Sequence, residues 1–245
     1  VLVCRSTLLV YPYPATCMAN DPDHGRWTDS SPEAMARREA TEVSALGWLE
    51  SIDREELEGD DRLNYDLLLD SLRSTVEGHR FHGEYLQLNQ MSGIHQQVTQ
   101  IFTMMPKFNL QQYEDILSRM RGVPRLVEND IDWLRRGLAA GVTPPKVTLR
   151  DLAGQFDGLL VDDPLASPIL QAFTEFPDVI AAEDRERLRA EAVRLYTEEL
   201  KPSLEAFRDF VVDEYVPGAR ESIAMTALPD GDAWYAYNVA QMTTT

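Results

Sequence analysis

Cysteine is nearly absent. Cys4 and Cys17, both close to the amino end of 245 residues, allow one bridge in an oxidising compartment but no disulfide framework and no cysteine-rich metal site. Histidine is almost as scarce, and none of His24, His79, His82 and His95 is followed by glutamate. The common zinc-hydrolase motif needs two imidazoles one helical turn apart with a glutamate base beside the first, so that motif is missing. There is no Gly-x-Ser-x-Gly elbow for a serine nucleophile. No glycine-rich phosphate loop precedes Lys107, Lys146 or Lys201, the only lysines. Positive charge is short as well: 23 Lys and Arg against 41 Asp and Glu give a formal net charge of -18. Such a surface repels phosphate backbones and anionic lipid, so no nucleic acid is expected as a partner. Long apolar runs are also lacking. "TLLVYPYPA" (7–15) is too short and too proline-broken for a membrane span, and with one nearby Arg it makes a poor signal peptide. An exported (periplasmic) and a cytoplasmic location both stay open.

What is present is helical periodicity. In "SSPEAMARREATEVSALGWL", Ser31 is placed to cap, Pro32 to open and Glu33 to meet the positive end of a helix, with Ala36, Ala40, Val43 and Leu46 on one face. This predicts a helix over 31–52. "DDRLNYDLLLDSLRSTVEG" puts Tyr65, Leu69, Leu72 and Val76 at helical spacing, and Leu63, Leu67 and Leu68 widen the apolar arc; the pattern predicts a helix central to the core. Asn109 and Gln112 form a capping-box signal before Tyr113, Ile116, Leu117 and Met120. "GVP" at 122–124 then interrupts, predicting two helices joined by a tight turn or kink, the second carrying Val127, Ile131, Leu134 and Leu138. From 181 to 215 the stripe Leu188, Ala192, Leu195, Tyr196, Leu200, Leu204, Phe207, Val211 and Tyr215 runs past Pro202, where a kink or restart near Lys201 is expected. The fold class is mainly α, built of antiparallel helical hairpins and long amphipathic helices with at most a few short strands.

Two stretches break the pattern. "FHGEYLQLNQMSG" (81–93) reads as a short strand and a loop, and "ALPDGDAWYAY" (227–237) as a turn followed by a strand or a buried helix. The first brings Asn89, Gln90 and His95 beside a flexible Ser92-Gly93, hydrogen-bonding groups suited to lining a substrate cleft; Tyr235 and Tyr237 in the second are aromatic candidates for the same role. A loop whose side chains cap backbone groups, and tyrosines that simply pack, are the plainer alternatives. His79, His82 and Glu84 lie close enough in sequence for a weak metal site, but the flanking glycines argue against a shared helical face.

Taken in order, "RWTDSSPEA" (26–34), "DRLNYDLL" (61–68), "GEYLQLNQMSGIHQ" (83–96), "YEDILSRM" (113–120), "GLAAGVTPPKVTL" (137–149), "DDPLASPIL" (162–170) and "YVPGARESIAMTALPDGDAWYAYNVAQMTTT" (215–245) resemble the bacterial family known as domain of unknown function 885 over nearly the whole chain. The resemblance implies an α-helical protein similar to zinc metallopeptidases, whose His-Glu motif and later Pro-Gly-His lie in a C-terminal half that continues beyond the threonine run. No ligand or base of that motif falls on a position of this chain. Met242 departs from relatives that carry His or another polar residue before the threonines. The expectation is therefore an N-terminal arm (1–25) followed by the helical N-terminal region (26–245) of a larger, truncated domain. No cofactor is expected in this chain, zinc in the missing C-terminal half, and that half and a peptide substrate as partners. A non-catalytic helical binding module is the alternative. Truncation further implies apolar surface left over 234–242.

Overall fold

A computed structural model describes residues 25–243, so the arm, with Cys4 and Cys17, lies outside the described residues. The chain is helical almost throughout. The first pair of helices is α1 (Pro32–Glu50) and α2 (Gly59–Gly78). Next come α3 (Ile94–Met104), α4 (Leu110–Ala140), the short α5 (Leu152–Asp157) and a rod opening with α6 (Ala182–Leu195). Helix α7 (Lys201–Phe210), the single turn α8 (Val216–Gly218) and α9 (Gly231–Met242) complete the order. Pairing of the β type is limited, among the described residues, to isolated bridges at Asn89–Ser92 and Pro145–Arg220.

The core forms where α4 lies against α6 and α7. Tyr113, Ile116, Leu117 and Met120 on α4 are each at most 1% exposed, as are all nine residues of the 188–215 stripe, from Leu188 to Tyr215. Three-four spacing on two long helices makes matching apolar stripes, and their burial is the main stabilising term of the fold. Helix α3 closes one side with Ile94, Val98, Ile101 and Phe102. The phenol of Tyr196 ties the rod to the 159–161 segment, donating to the Leu159 carbonyl at 2.6 Å and accepting from the Val161 N–H at 3.1 Å.

Proline is accommodated differently from what the sequence predicts. Helix α4 runs unbroken through Pro124, so the expected pair of helices at "GVP" is one helix of 31 residues. Gly122 is there for close approach: a Cβ on it would fall 2.6 Å from Cδ1 of Trp27, whose indole N–H donates to the Arg119 carbonyl at 2.7 Å. In the rod, the break expected near Lys201 is a π turn over Tyr196–Leu200, in which the Lys201 N–H reaches back five residues to Tyr196. A second π turn, Val211–Tyr215, stands before Pro217 in the same way. Widening the turn ahead of a residue that lacks an N–H lets the rod continue instead of ending.

Helices α1 and α2 form an antiparallel hairpin, with Arg73 of α2 on Glu50 at the end of α1 (2.8 Å) and Arg54 of the connecting turn on Asp66 of α2 (2.7 Å). These ion pairs are exposed, so they orient the helices more than they stabilise them. Ser31 caps α1 as expected, its hydroxyl accepting from the Ala34 N–H at 3.3 Å. The inward face is wrongly phased in the sequence reading: Ala36, Ala40 and Val43 point to solvent, while Ala34 and Leu49 are buried. Nor is α2 central to the core, because none of its residues is buried and Leu63, Leu67 and Leu68 are 57%, 61% and 48% exposed. Its wide apolar arc marks surface that needs a cover; α1 lies along one side and Tyr237 of α9 reaches Ser74 and Gly78 near its C-terminal end, while Leu63, Leu67 and Leu68 stay exposed.

The segment expected to be a strand near 81–93 is instead two 3₁₀ turns, His79–Phe81 and Gly83–Leu86, followed by a tight turn. The 227–237 segment resolves as the start of α9, which buries Gly231 and Trp234 but leaves Tyr235 and Met242 56% and 87% exposed. Trp234 stacks on Phe81 at 5.6 Å in a small second core with Val142 and Leu228.

Candidate functional site

A two-lobed cleft lies where the 84–97 segment faces the middle of α4. One lobe, about 240 Å³, is lined by Glu84, Gln87, Ser92, Gln97, Asp130 and Trp133 among others. The other, also about 240 Å³, brings in Arg26, Trp27, Thr28 and Arg119. Gln87, Gln97 and Asp130 belong to both.

Local chemistry shapes the upper wall. Asn89 Nδ2 donates to Ser92 Oγ at 2.8 Å, and Asn89 Oδ1 accepts from the Met91 and Ser92 N–H groups at 2.8 and 3.1 Å. An amide that folds its own turn in this way is committed to the backbone. Gly93 follows at φ 140°, a conformation open to glycine, and starts α3. Gln90 contributes its carbonyl, which accepts from Gln96 Nε2 at 2.9 Å and Gln155 Nε2 at 3.1 Å. His95 is buried (3% exposed), its ring 5.4 Å from that of Phe156. Desolvation pushes its pKa down, with Gln155 beside the ring opposing only in part, so the imidazole is neutral. Tyr235 and Tyr237 sit apart on α9. Tyr237 donates to the Ser74 carbonyl at 3.1 Å and lies tilted against Phe81 at 5.1 Å, joining the second core, not the cleft lining around Asp130.

Asp130 was not singled out by sequence reasoning. It occupies a three-four position between Val127 and Leu134 on the buried side of α4, and an acid there is the signal that could have marked it. Among the described residues its carboxyl meets no cation; the side chain is half-buried, and desolvation pushes its pKa up from 3.8 to about 7. Glu84, by contrast, is paired with His82 Nδ1 at 2.9 Å. The nearby guanidinium of Arg119 is turned to the Arg26 carbonyl (3.0 Å) and over the Trp27 ring (5.5 Å).

A metal is not favoured by the donor set. His79 Nε2 contacts Glu42 at 2.7 Å while His82 pairs with Glu84, so His79, His82 and Glu84 do not converge. Among the described residues no group of three or more His, Cys, Asp or Glu comes together to hold an ion. Also among the described residues, no helix is long and apolar enough to cross a membrane.

These features define an all-α protein with a polar cleft and no metal cluster among its described residues. The family described as "Bacterial protein of unknown function (DUF885)" matches residues 12–245, and the chain belongs to that family. No curated protein matches it. Among solved structures it is similar to one described as the putative lipoprotein from Colwellia psychrerythraea, with a TM-score of 0.77 and 16% identity over 90% of this chain. The likeness shows a shared fold, and the chain spans only 41% of that protein's length.

Proposed function

We propose that the chain is the helical portion of a longer, metallopeptidase-like hydrolase, supplying one wall of a substrate cleft and the support for a metal-bearing portion outside it. The observation that carries the reading is the uncovered apolar face of the α1–α2 hairpin, Val43, Trp48, Leu63, Leu67 and Leu68, on a chain that spans 41% of its structural relative. Exposed apolar side chains gathered on one hairpin mark an interaction site, and further chain of the same protein is its natural cover. The hydrolase part rests on the resemblance of the ordered segments to a peptidase-like family. In that chemistry zinc polarises a carbonyl and activates water; the residues present here orient and enclose a substrate.

The test is to follow the source reading frame through Thr245, express the longer protein if the frame continues, and compare it with the 245-residue chain for bound zinc and peptide hydrolysis. The expected result is stoichiometric zinc and chelator-sensitive cleavage in the longer protein and neither in the shorter. A longer protein without zinc, or one that hydrolyses no peptide, overturns the hydrolase reading. A frame that stops at once, with a monomeric folded product, favours the binding module instead.

A further inference from the structure

Asp130 is the unusual group of this molecule. A carboxylate partly withdrawn from water is costly unless a cation or several donors face it, and Asp130, half-buried where both lobes meet, has neither among the described residues. The two residues that share both lobes with it, Gln87 and Gln97, are exposed and bring amide oxygens that can accept. We propose that the junction of the two lobes at Asp130, Gln87 and Gln97 binds a primary ammonium group, R–NH₃⁺.

Three N–H donors on one small cation match one carboxylate and two amide oxygens. Glu84, its side chain 14% exposed, adds negative potential at the edge of one lobe even though His82 is bound to it. Arg26 and Arg119 are the positive charges on the lining of the second lobe, and the Arg119 guanidinium is directed to the Arg26 carbonyl and the Trp27 face. A divalent metal would need more hard ligands than the single carboxylate at this junction supplies. Trp133 in one lobe and Trp27 in the other each offer an apolar wall for the substituent R. The raised pKa of Asp130 fits the same picture, since it reflects a charge waiting for its partner, and a bound ammonium would bring it down.

An ammonium of this class comes from the amino terminus of a peptide or from a lysine side chain. The cation would be held at Asp130 whether or not the longer protein hydrolyses anything, so the experiment uses the 245-residue chain itself. Titration calorimetry at about pH 7.5 keeps most of the carboxyl ionised and much of the amine protonated. The probes are alanyl-leucine amide, its N-acetylated form and Nα-acetyl-lysine amide. At least one of the two amines is expected to saturate the chain, with the N-acetylated dipeptide at least tenfold weaker. A preference for the dipeptide identifies a peptide amino terminus; a preference for the lysine derivative identifies a side chain. Asp130→Asn, which keeps the shape and removes the charge, is expected to weaken the bound amine about tenfold or more. Gln97→Leu, on an exposed side chain, is expected to weaken it several-fold and decides the matter if the first variant fails to fold. Equal binding of the acetylated probe, an Asp130→Asn affinity within twofold of wild type, or no saturation by either amine at millimolar concentration overturns the assignment.

Discussion

Replacing Asp130 by asparagine should make the protein more stable at alkaline pH. The carboxyl titrates at about 7 in the folded chain against an ordinary 3.8, so the native state keeps a proton that the unfolded chain releases. Between those two values stability must fall as pH rises, because the native state binds more protons than the unfolded one. The full shift of roughly three pH units corresponds to a ceiling of about 4 kcal/mol above pH 7, of which less than half is already lost at about pH 5. Access of water through the cleft lowers the real figure, but not its sign. Asparagine has no such loss. For a chain of this size a gain of a few kcal/mol corresponds to a melting temperature on the order of 10 °C higher. The assay is thermal or urea unfolding of wild type and variant at about pH 5 and about pH 8.5, read as the difference of differences so that other titrating groups cancel. A variant advantage that does not grow with pH, or a variant less stable than wild type at pH 8.5, would refute the account of Asp130 as an uncompensated charge.

Other expectations follow from packing. Gly122→Ala adds a methyl into the Trp27 ring and should destabilise by about 1–2 kcal/mol despite the better helix propensity of alanine, whereas Gly47→Ala on α1, with nothing within 4 Å, should gain about 0.5–1 kcal/mol; denaturant midpoints of the pair check both. Tyr196→Phe leaves the Leu159 carbonyl and the Val161 N–H without their phenol partner and should cost about 1–3 kcal/mol in the same measurement. Leu67→Gln, at a position 61% exposed, should leave the stability of the 245-residue chain within about 0.5 kcal/mol while reducing hydrophobic-dye binding and self-association. A large loss of stability there would mean that the hairpin face is already covered.

The parts of the fold legible in the sequence were those set by one long period. The stripe from Leu188 to Tyr215 and the Tyr113–Met120 stripe are buried as the three-four spacing implies, because a long amphipathic helix has one face to hide and a sister helix to hide it against. The failures share a cause. "GVP" carries a turn signal, yet Gly122 answers to Trp27, ninety-five residues earlier, and local chemistry holds no record of that contact. Prolines at 202 and 217 are absorbed by π turns, a backbone solution that periodicity cannot display. Beside the cleft, the hydrogen-bonding capacity of Asn89 is evident from its residue type, but the structure spends it on its own turn. Asp130 is illegible in the sequence, because a lone acid inside an apolar stripe looks like one more surface charge until the neighbouring element is in place.

Two features lack a partner among the described residues, and they differ in kind. The outer side of α2 exposes leucines, and apolar area is covered by anything of complementary shape, so a cover there says little about chemistry. Asp130 is more demanding: an apolar cover would deepen the desolvation of its carboxyl, and only a cation or strong donors relieve it. If further chain of the same protein seats on the hairpin, the cleft is the place where a ligand would be chosen. The two can be tested apart, because Leu67→Gln should alter assembly without changing amine binding, while Asp130→Asn should alter amine binding without changing assembly. A variant that moved both readouts together would mean that cleft and hairpin form one interface, and the ammonium at Asp130 would then be a lysine of the covering chain.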